Sequence, residues 1–101
     1  MGIRHKYKAV QCEDDGIKFP SKAERNYYRT LKMLQKAGDV VFFLRQPSFD
    51  LPGGVKYRAD FLEFWADGTV HVTDVKGVQT ESFKAKKRMV ESLYPVEIEI
   101  R

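Results

Sequence analysis

Two aspartates and a lysine in the stretch Lys56 to Lys76, KYRADFLEFWADGTVHVTDVK, have the types and spacing to hold a divalent cation. Strand-forming residues (Tyr57, Phe61, Phe64 and Trp65, then Val70, Val72 and Val75) flank an Asp67-Gly68 turn, so the stretch reads as one β-hairpin. A two-residue loop would set Leu62 and Phe64 opposite Thr73 and His71, mixing apolar and polar groups on both faces. A three-residue loop, Ala66-Asp67-Gly68 with Gly68 left-handed, sets Phe64 opposite Val70, Leu62 opposite Val72 and Asp60 opposite Asp74. The spacing predicts this second register, with Leu62, Phe64, Val70 and Val72 as a buried apolar face. Asp60, Asp74 and Lys76 then share that face. Directly paired carboxylates lie ~5 Å apart and repel, and a divalent metal is their natural partner. The other use of such residues is a partly exposed ion cluster at a strand end.

The elements that must position these residues come from the rest of the chain. Residues 7–19, YKAVQCEDDGIKF, read as a leading hairpin around Asp14-Asp15-Gly16. Ser21-Lys22-Ala23-Glu24 is a capping-box pattern that opens a helix running to about Lys36 and stopped by Gly38. Ala23, Tyr27, Leu31 and Leu34 form its apolar stripe, and Glu24 lies close enough to it for its carboxylate to point inward. Val40 to Gln46 is expected as a largely buried strand, extended on through Leu51 to a Pro52-Gly53-Gly54 turn. Past Lys76 and Gly77, a second helix opens at Thr80 and Glu81 and ends at Pro95. Phe83, Val90, Leu93 and Tyr94 face inward, and Lys84, Lys86, Lys87 and Arg88 largely outward. Val96 to Ile100 alternates strictly and is expected to pair parallel to the Asp74 strand through a right-handed crossover.

The 101 residues suffice for one compact domain, 1–101, with one core. Cys12 is the only cysteine, so neither an internal disulfide nor a cysteine zinc site is available, and His5 and His71 stand alone. The net charge of +4 permits a nucleic-acid partner without requiring one. The longest apolar run, Val40 to Leu44, is far too short to span a membrane, and Met1 to Tyr7 has no signal-peptide pattern. The expected location is cytoplasmic.

Taken in order, Glu24 on the first helix, Asp60 on a strand and Asp74-Val75-Lys76 on the next, in an αβββαβ arrangement, resemble the PD-(D/E)XK nuclease superfamily. Gly16-Ile17-Lys18-Phe19, Gln46-Pro47, Tyr57-Arg58-Ala59-Asp60-Phe61 and the Gly77 after Lys76 narrow the likeness to small phage-encoded proteins related to Holliday-junction resolvases. Ala59 stands where that motif has proline. The resemblance implies an α/β (α+β) restriction-endonuclease-like core, a mixed central sheet flanked by helices and preceded by the short hairpin. It also implies Mg²⁺-dependent hydrolysis of phosphodiester bonds in branched DNA, with Mn²⁺ able to substitute. Asp60, Asp74, the Val75 carbonyl and Glu24 would hold the metal, although the capping role alone also accounts for Glu24. Lys76 would orient the attacking water and stabilise the transition state. Lys18, Lys84, Lys86, Lys87 and Arg88 would contact DNA, and Gln46 would support the metal site. Two copies would serve to cut two strands, in the host cytoplasm if the gene is phage-borne. The alternative is a nonenzymatic DNA-binding or assembly protein on the same fold.

Overall fold

The computed structural model describes residues 12–101, and what it shows is a mixed α+β fold in the expected order. His5, Lys6, Lys8 and the first half of the leading hairpin lie outside the described residues. Its remainder, β1 (Cys12–Asp14) and β2 (Ile17–Phe19), closes through Asp15 and Gly16, both at positive φ. That geometry matches the right-handed twist of a tight hairpin. Helix α1 (Lys22–Ala37) is capped by Ser21, whose Oγ accepts the Glu24 N–H at 3.1 Å, and is ended by Gly38 at φ 92°. Its buried positions are Glu24, Tyr28 and Leu31, one helical face, whereas Ala23 is exposed rather than on the stripe.

Strand β3 (Val40–Arg45) runs antiparallel to β6 (Phe61–Trp65), with Arg45 opposite Phe61. Beyond it the Gln46 N–H donates to the Asp60 carbonyl at 2.9 Å and the Ala59 N–H to the Pro47 carbonyl at 3.0 Å. The same register resumes in β4 (Ser48–Leu51) and β5 (Val55–Arg58), with Ser48 opposite Arg58. These four strands are thus the two arms of one long hairpin. It bends at Gln46, which sits at φ 55°, a conformation uncommon in a non-glycine residue. The outer half folds over one face of the sheet, where Leu51 and Tyr57 pack with Val72, Phe83, Val90 and Ile98. The expected single hairpin from Lys56 to Lys76 is corrected accordingly, since Lys56, Tyr57 and Arg58 belong to this outer half.

The second hairpin, β6 with β7 (Val70–Asp74), has the three-residue register, Phe64 opposite Val70 and Leu62 opposite Val72, with Gly68 at φ 88°. Helix α2 (Glu81–Leu93), capped by Thr80, crosses to β8 (Ile98–Ile100), which pairs parallel to β7 and completes the order β3-β6-β7-β8. Leu93, expected inward, is exposed.

The buried face of the second hairpin is not the expected one. Phe61, Glu63 and Thr73 are fully buried beneath α1, while Val70 is 54% exposed and Leu62 and Phe64 only half-buried. The reason is coverage: α2 and the folded-over ribbon reach Val72 but stop short of Val70. Glu63 tolerates burial because the Tyr27 hydroxyl (2.7 Å) and the Trp65 indole N–H (2.9 Å) both donate to it. Strand β3 likewise buries only Val40 fully. No helix among the described residues is long and apolar enough to cross a membrane.

Candidate active site

At the bend the two hairpins lock together. The Asp60 N–H donates to the Thr73 carbonyl (3.1 Å), already opposite Phe61, so Asp60 and Phe61 share one partner as a bulge and the expected Asp60–Asp74 ladder pair does not form. A bulge re-aims the side chain it carries. The aspartates instead clasp through side chains: the Asp60 N–H also donates to Asp74 Oδ1 (3.0 Å), and the Val75 N–H donates to Asp60 Oδ2 (2.8 Å). Asp74 is 1% exposed, and its Oδ2 accepts the Tyr57 hydroxyl from the outer ribbon. Lys76 follows two residues past the end of β7, solvent-exposed, with Nζ 4.8 Å from the Phe83 ring centre.

Glu24 comes from α1, on the other side of the sheet. Its amide uses the Ser21 cap, as the helix-cap reading has it, and its carboxylate turns inward to Arg45 Nη2 at 3.3 Å. Burial is the first cause that raises the Glu24 carboxyl, and the negative charge of Asp60 adds to it against Arg45. Asp60 is also raised by burial, opposed by the Val75 N–H and the charges of Lys76 and Arg45. Burial lifts Asp74 to about 6, against Lys76 and the Asp60 N–H. Asp60 and Asp74, two adjoining carboxyls disfavoured as anions with Glu24 near them, favour a positive charge at this place.

Whether a metal fits can be judged from the donors. Among the described residues no three His, Cys, Asp or Glu side chains converge on one point, and Glu24, held by Arg45, does not close a cage with the aspartates. Asp60 and Asp74 do adjoin, and no donor among the described residues reaches the Val75 carbonyl. Two carboxylates and a free carbonyl, with water completing the octahedron, suit Mg²⁺, which keeps much of its hydration. A cage of side chains is not what that ion requires.

A concave surface of about 250 Å³ opens beside Lys76, lined by Lys56, Arg58, Thr80, Ser82, Phe83 and Lys86 along with Tyr57. No carboxylate lines it. Of the expected DNA contacts, only Lys86 lies here. Lys84 pairs with Glu81 (3.6 Å) and half-buried Lys87 with Glu91 (3.1 Å), while Arg88 faces solvent and Lys18 is exposed on β2. Gln46 contributes backbone, holding the Asp60 carbonyl at the bend.

A family model described as a protein of unknown function (DUF1064) matches residues 4–100. The chain belongs to the DUF1064 family. A search of curated proteins gave no match.

Four residues of this DUF1064 chain escape sequence reasoning: Tyr57, Arg58, Lys56 and Arg45. Their signal exists only once the hairpin is seen to bend, because the bend carries the outer ribbon beside Asp74. Arg45 reaches Glu24 because both lie at the same end of the sheet.

The raised Asp74 carboxyl has a measurable consequence. A folded acid titrating near 6 rather than near 3.8 binds more protons than the unfolded chain between those values, so stability falls as pH rises through that window. Without divalent cations, Asp74 should contribute a gain of about 1–2 kcal/mol on going from about pH 7.5 to about pH 5, so that Asp74→Asn gains less than the native protein by that amount and keeps only what Glu24 and Asp60 contribute. Thermal melts of both proteins at the two pH values check this. Equal pH responses would remove Asp74 as the cause.

Proposed function

We propose that this DUF1064 protein is a metal-dependent endonuclease that hydrolyses phosphodiester bonds in DNA. One observation carries the reading: half-buried Asp60 and buried Asp74, clasped to each other and both raised by burial, adjoin Lys76, which lines a basic cleft together with Tyr57, the hydrogen-bond partner of Asp74. Mg²⁺, or Mn²⁺ in its place, would supply charge neutralisation at the phosphate and a water acidic enough to attack near neutral pH. Asp60, Asp74 and the Val75 carbonyl would hold it, with Glu24 adjoining.

The chain's own residues do the rest. Arg58, Lys76 and Lys86, with the Thr80 and Ser82 hydroxyls, present donors to successive phosphates and set the scissile one over the aspartates. The Lys76 ammonium orients the attacking water and meets the charge that develops on the phosphate. Tyr57 fixes the Asp74 carboxylate by its hydrogen bond, so that the rotamer is set before substrate arrives. A preference for branched DNA, action in phage recombination, repair or replication, and a pair of active sites for two strands extend this reading by resemblance.

One observation favours the alternative, a nonenzymatic DNA-binding protein: Asp60 Oδ2 and both Asp74 oxygens already have protein donors, as structural carboxylates would. Incubating the purified protein with duplex, single-stranded, flap and four-way DNA, with and without Mg²⁺, separates the two. Cleavage only with metal supports the enzyme, and metal-independent binding without cleavage supports the alternative.

Binding should weaken linearly in log K against log salt. Arg58→Ala with Lys86→Ala should reduce that slope by roughly 1 to 2 units, and Lys84→Ala with Lys87→Ala by less, because Glu81 and Glu91 already neutralise those lysines. An unchanged slope in the first pair would place the DNA away from the cleft.

A further inference from the structure

Arg45 ends β3 beside the acidic cluster, and the chemistry proposed above gives it no part. Its guanidinium lies over the Phe19 ring, 4.5 Å from the ring centre, and its Nη2 donates to Glu24 Oε2 at 3.3 Å. The Glu24 side chain is 4% exposed and that of Arg45 23%, so the pair is taken largely out of water. Both supports are fixed. Phe19 is fully buried against Tyr28, with ring centres 5.0 Å apart, and Glu24 sits in the first turn of α1. A guanidinium keeps its proton at any ordinary pH, so the cation held there is permanent.

What Arg45 supplies there is charge rather than shape. The planar fork that ordinarily grips a carboxylate in two places makes a single contact with Glu24, and its Nε is buried with no hydrogen-bond partner among the described residues. The charge nevertheless reaches two acids. Burial raises both Glu24 and Asp60, and Arg45 opposes that rise at each of them. Glu24 in turn is raised by the negative charges of Asp60 and Asp74. The three carboxyls therefore act as one electrostatic group, with Arg45 on the α1 side and Lys76 beyond Asp74.

We infer that Arg45 is a built-in substitute for a second divalent ion, so that the site takes one ion on the side of Asp60 and Asp74 and none beside Glu24. The inference rests on the metal-dependent reading above and extends it by fixing how many ions enter and where. Charge balance argues for one. With all of them ionised, three carboxylates face two cations, and one divalent ion leaves a single positive charge that one phosphodiester cancels. A second ion would leave the site strongly positive even with substrate in place. Position argues the same way, because the Glu24 oxygen that faces the cluster's resident cation is already the one Arg45 holds. An ion that displaced Arg45 would leave a guanidinium largely buried and unpaired, which is costly.

Calorimetric titration of the full chain with Mn²⁺, over one concentration range for every variant, counts the ions without reference to cleavage. The native chain is expected to bind one. Arg45→Met should bind two, and adding Glu24→Gln to it should return the count to one. Because Arg45→Met leaves Glu24 buried without a partner, Arg45→Gln, whose amide can still donate to Glu24, is titrated beside it and should also bind two. Arg45→Lys keeps the charge and should bind one, a contrast with the neutral variants that a merely structural arginine would not produce. Circular dichroism shows which variants are folded. Two ions on the native chain or on Arg45→Lys, or one on the folded neutral variants, overturns the inference. A second ion that survives Glu24→Gln overturns it as well, since that ion would lie elsewhere. A native chain that binds no ion overturns the metal-dependent reading and this inference with it, and the native titration alone tells that result from the others.

Discussion

Asp60→Asn and Asp74→Asn are expected to abolish DNA cleavage while leaving the fold intact. Each substitution removes one of the two adjoining carboxylates that would hold the metal, and a bound cation contributes several kcal/mol of charge stabilisation to such a reaction. At 1.36 kcal/mol per decade, the loss is about 10³-fold or more in rate. The fold should survive for a reason visible at Asp74. Its two oxygens accept from the Asp60 N–H and the Tyr57 hydroxyl. An asparagine keeps one acceptor for the amide and offers an N–H₂ that the Tyr57 oxygen accepts once its hydroxyl turns. Burial of an anion is what raises the Asp74 carboxyl to about 6. Relieving it should raise the metal-free melting temperature near neutral pH by several degrees, at ~4–8 °C per kcal/mol for a domain of this size. Circular dichroism melts and a cleavage assay with Mg²⁺ check both halves. Unfolding of either variant would reassign the pair to structure.

Lys76→Ala should separate chemistry from coordination. The ammonium lowers Asp60 and Asp74 by its charge but is no ligand. Its loss should leave Mg²⁺ affinity unchanged or improved, while cleavage falls by ~10²-fold to 10³-fold, as for loss of one group that meets transition-state charge. Lys76→Arg should rescue poorly, because a planar guanidinium cannot replace a compact ammonium aimed at one oxygen. Calorimetric Mg²⁺ titration beside single-turnover cleavage gives the comparison. Near-native cleavage by Lys76→Ala at saturating Mg²⁺ would make Lys76 part of an ion cluster and end the mechanism.

The features readable from sequence here are those set by local chemistry. Gly68 has no Cβ to oppose a left-handed turn, so the three-residue loop and its register follow from the turn and the pattern together. Ser21 announces α1 in the same way, and the strict alternation before Ile100 announces a strand. Which face of β6 is buried was not readable: Glu63, His71 and Thr73 alternate as a solvent face would, and only Tyr27 and Trp65, distant or diagonal in sequence, make the Glu63 position habitable. The bend at Gln46 was equally hidden, because a residue before proline ordinarily stays extended. With the bend went Tyr57 and Arg58, and with the uncovered end of the sheet went the exposure of Phe42 and Leu44. That Asp60, Asp74 and Lys76 lie close together was readable because each is next to a strand end that its own sequence marks.

The hairpin that bends at Gln46 is also a lever. Asp60 sits at its bend, across from Gln46, and its outer arm carries Lys56, Tyr57 and Arg58 toward a tip of proline and two glycines. With Gln46 as fulcrum, the Tyr57 hydroxyl on Asp74 is a latch that keeps the outer arm down. A phosphate held by Arg58 would therefore pull on the same piece of backbone that aims Asp60. Under the proposed function, substrate grip and the aim of the carboxylate would be one motion, and loosening the latch, as in Tyr57→Phe, would let the arm lift without unfolding the sheet beneath it.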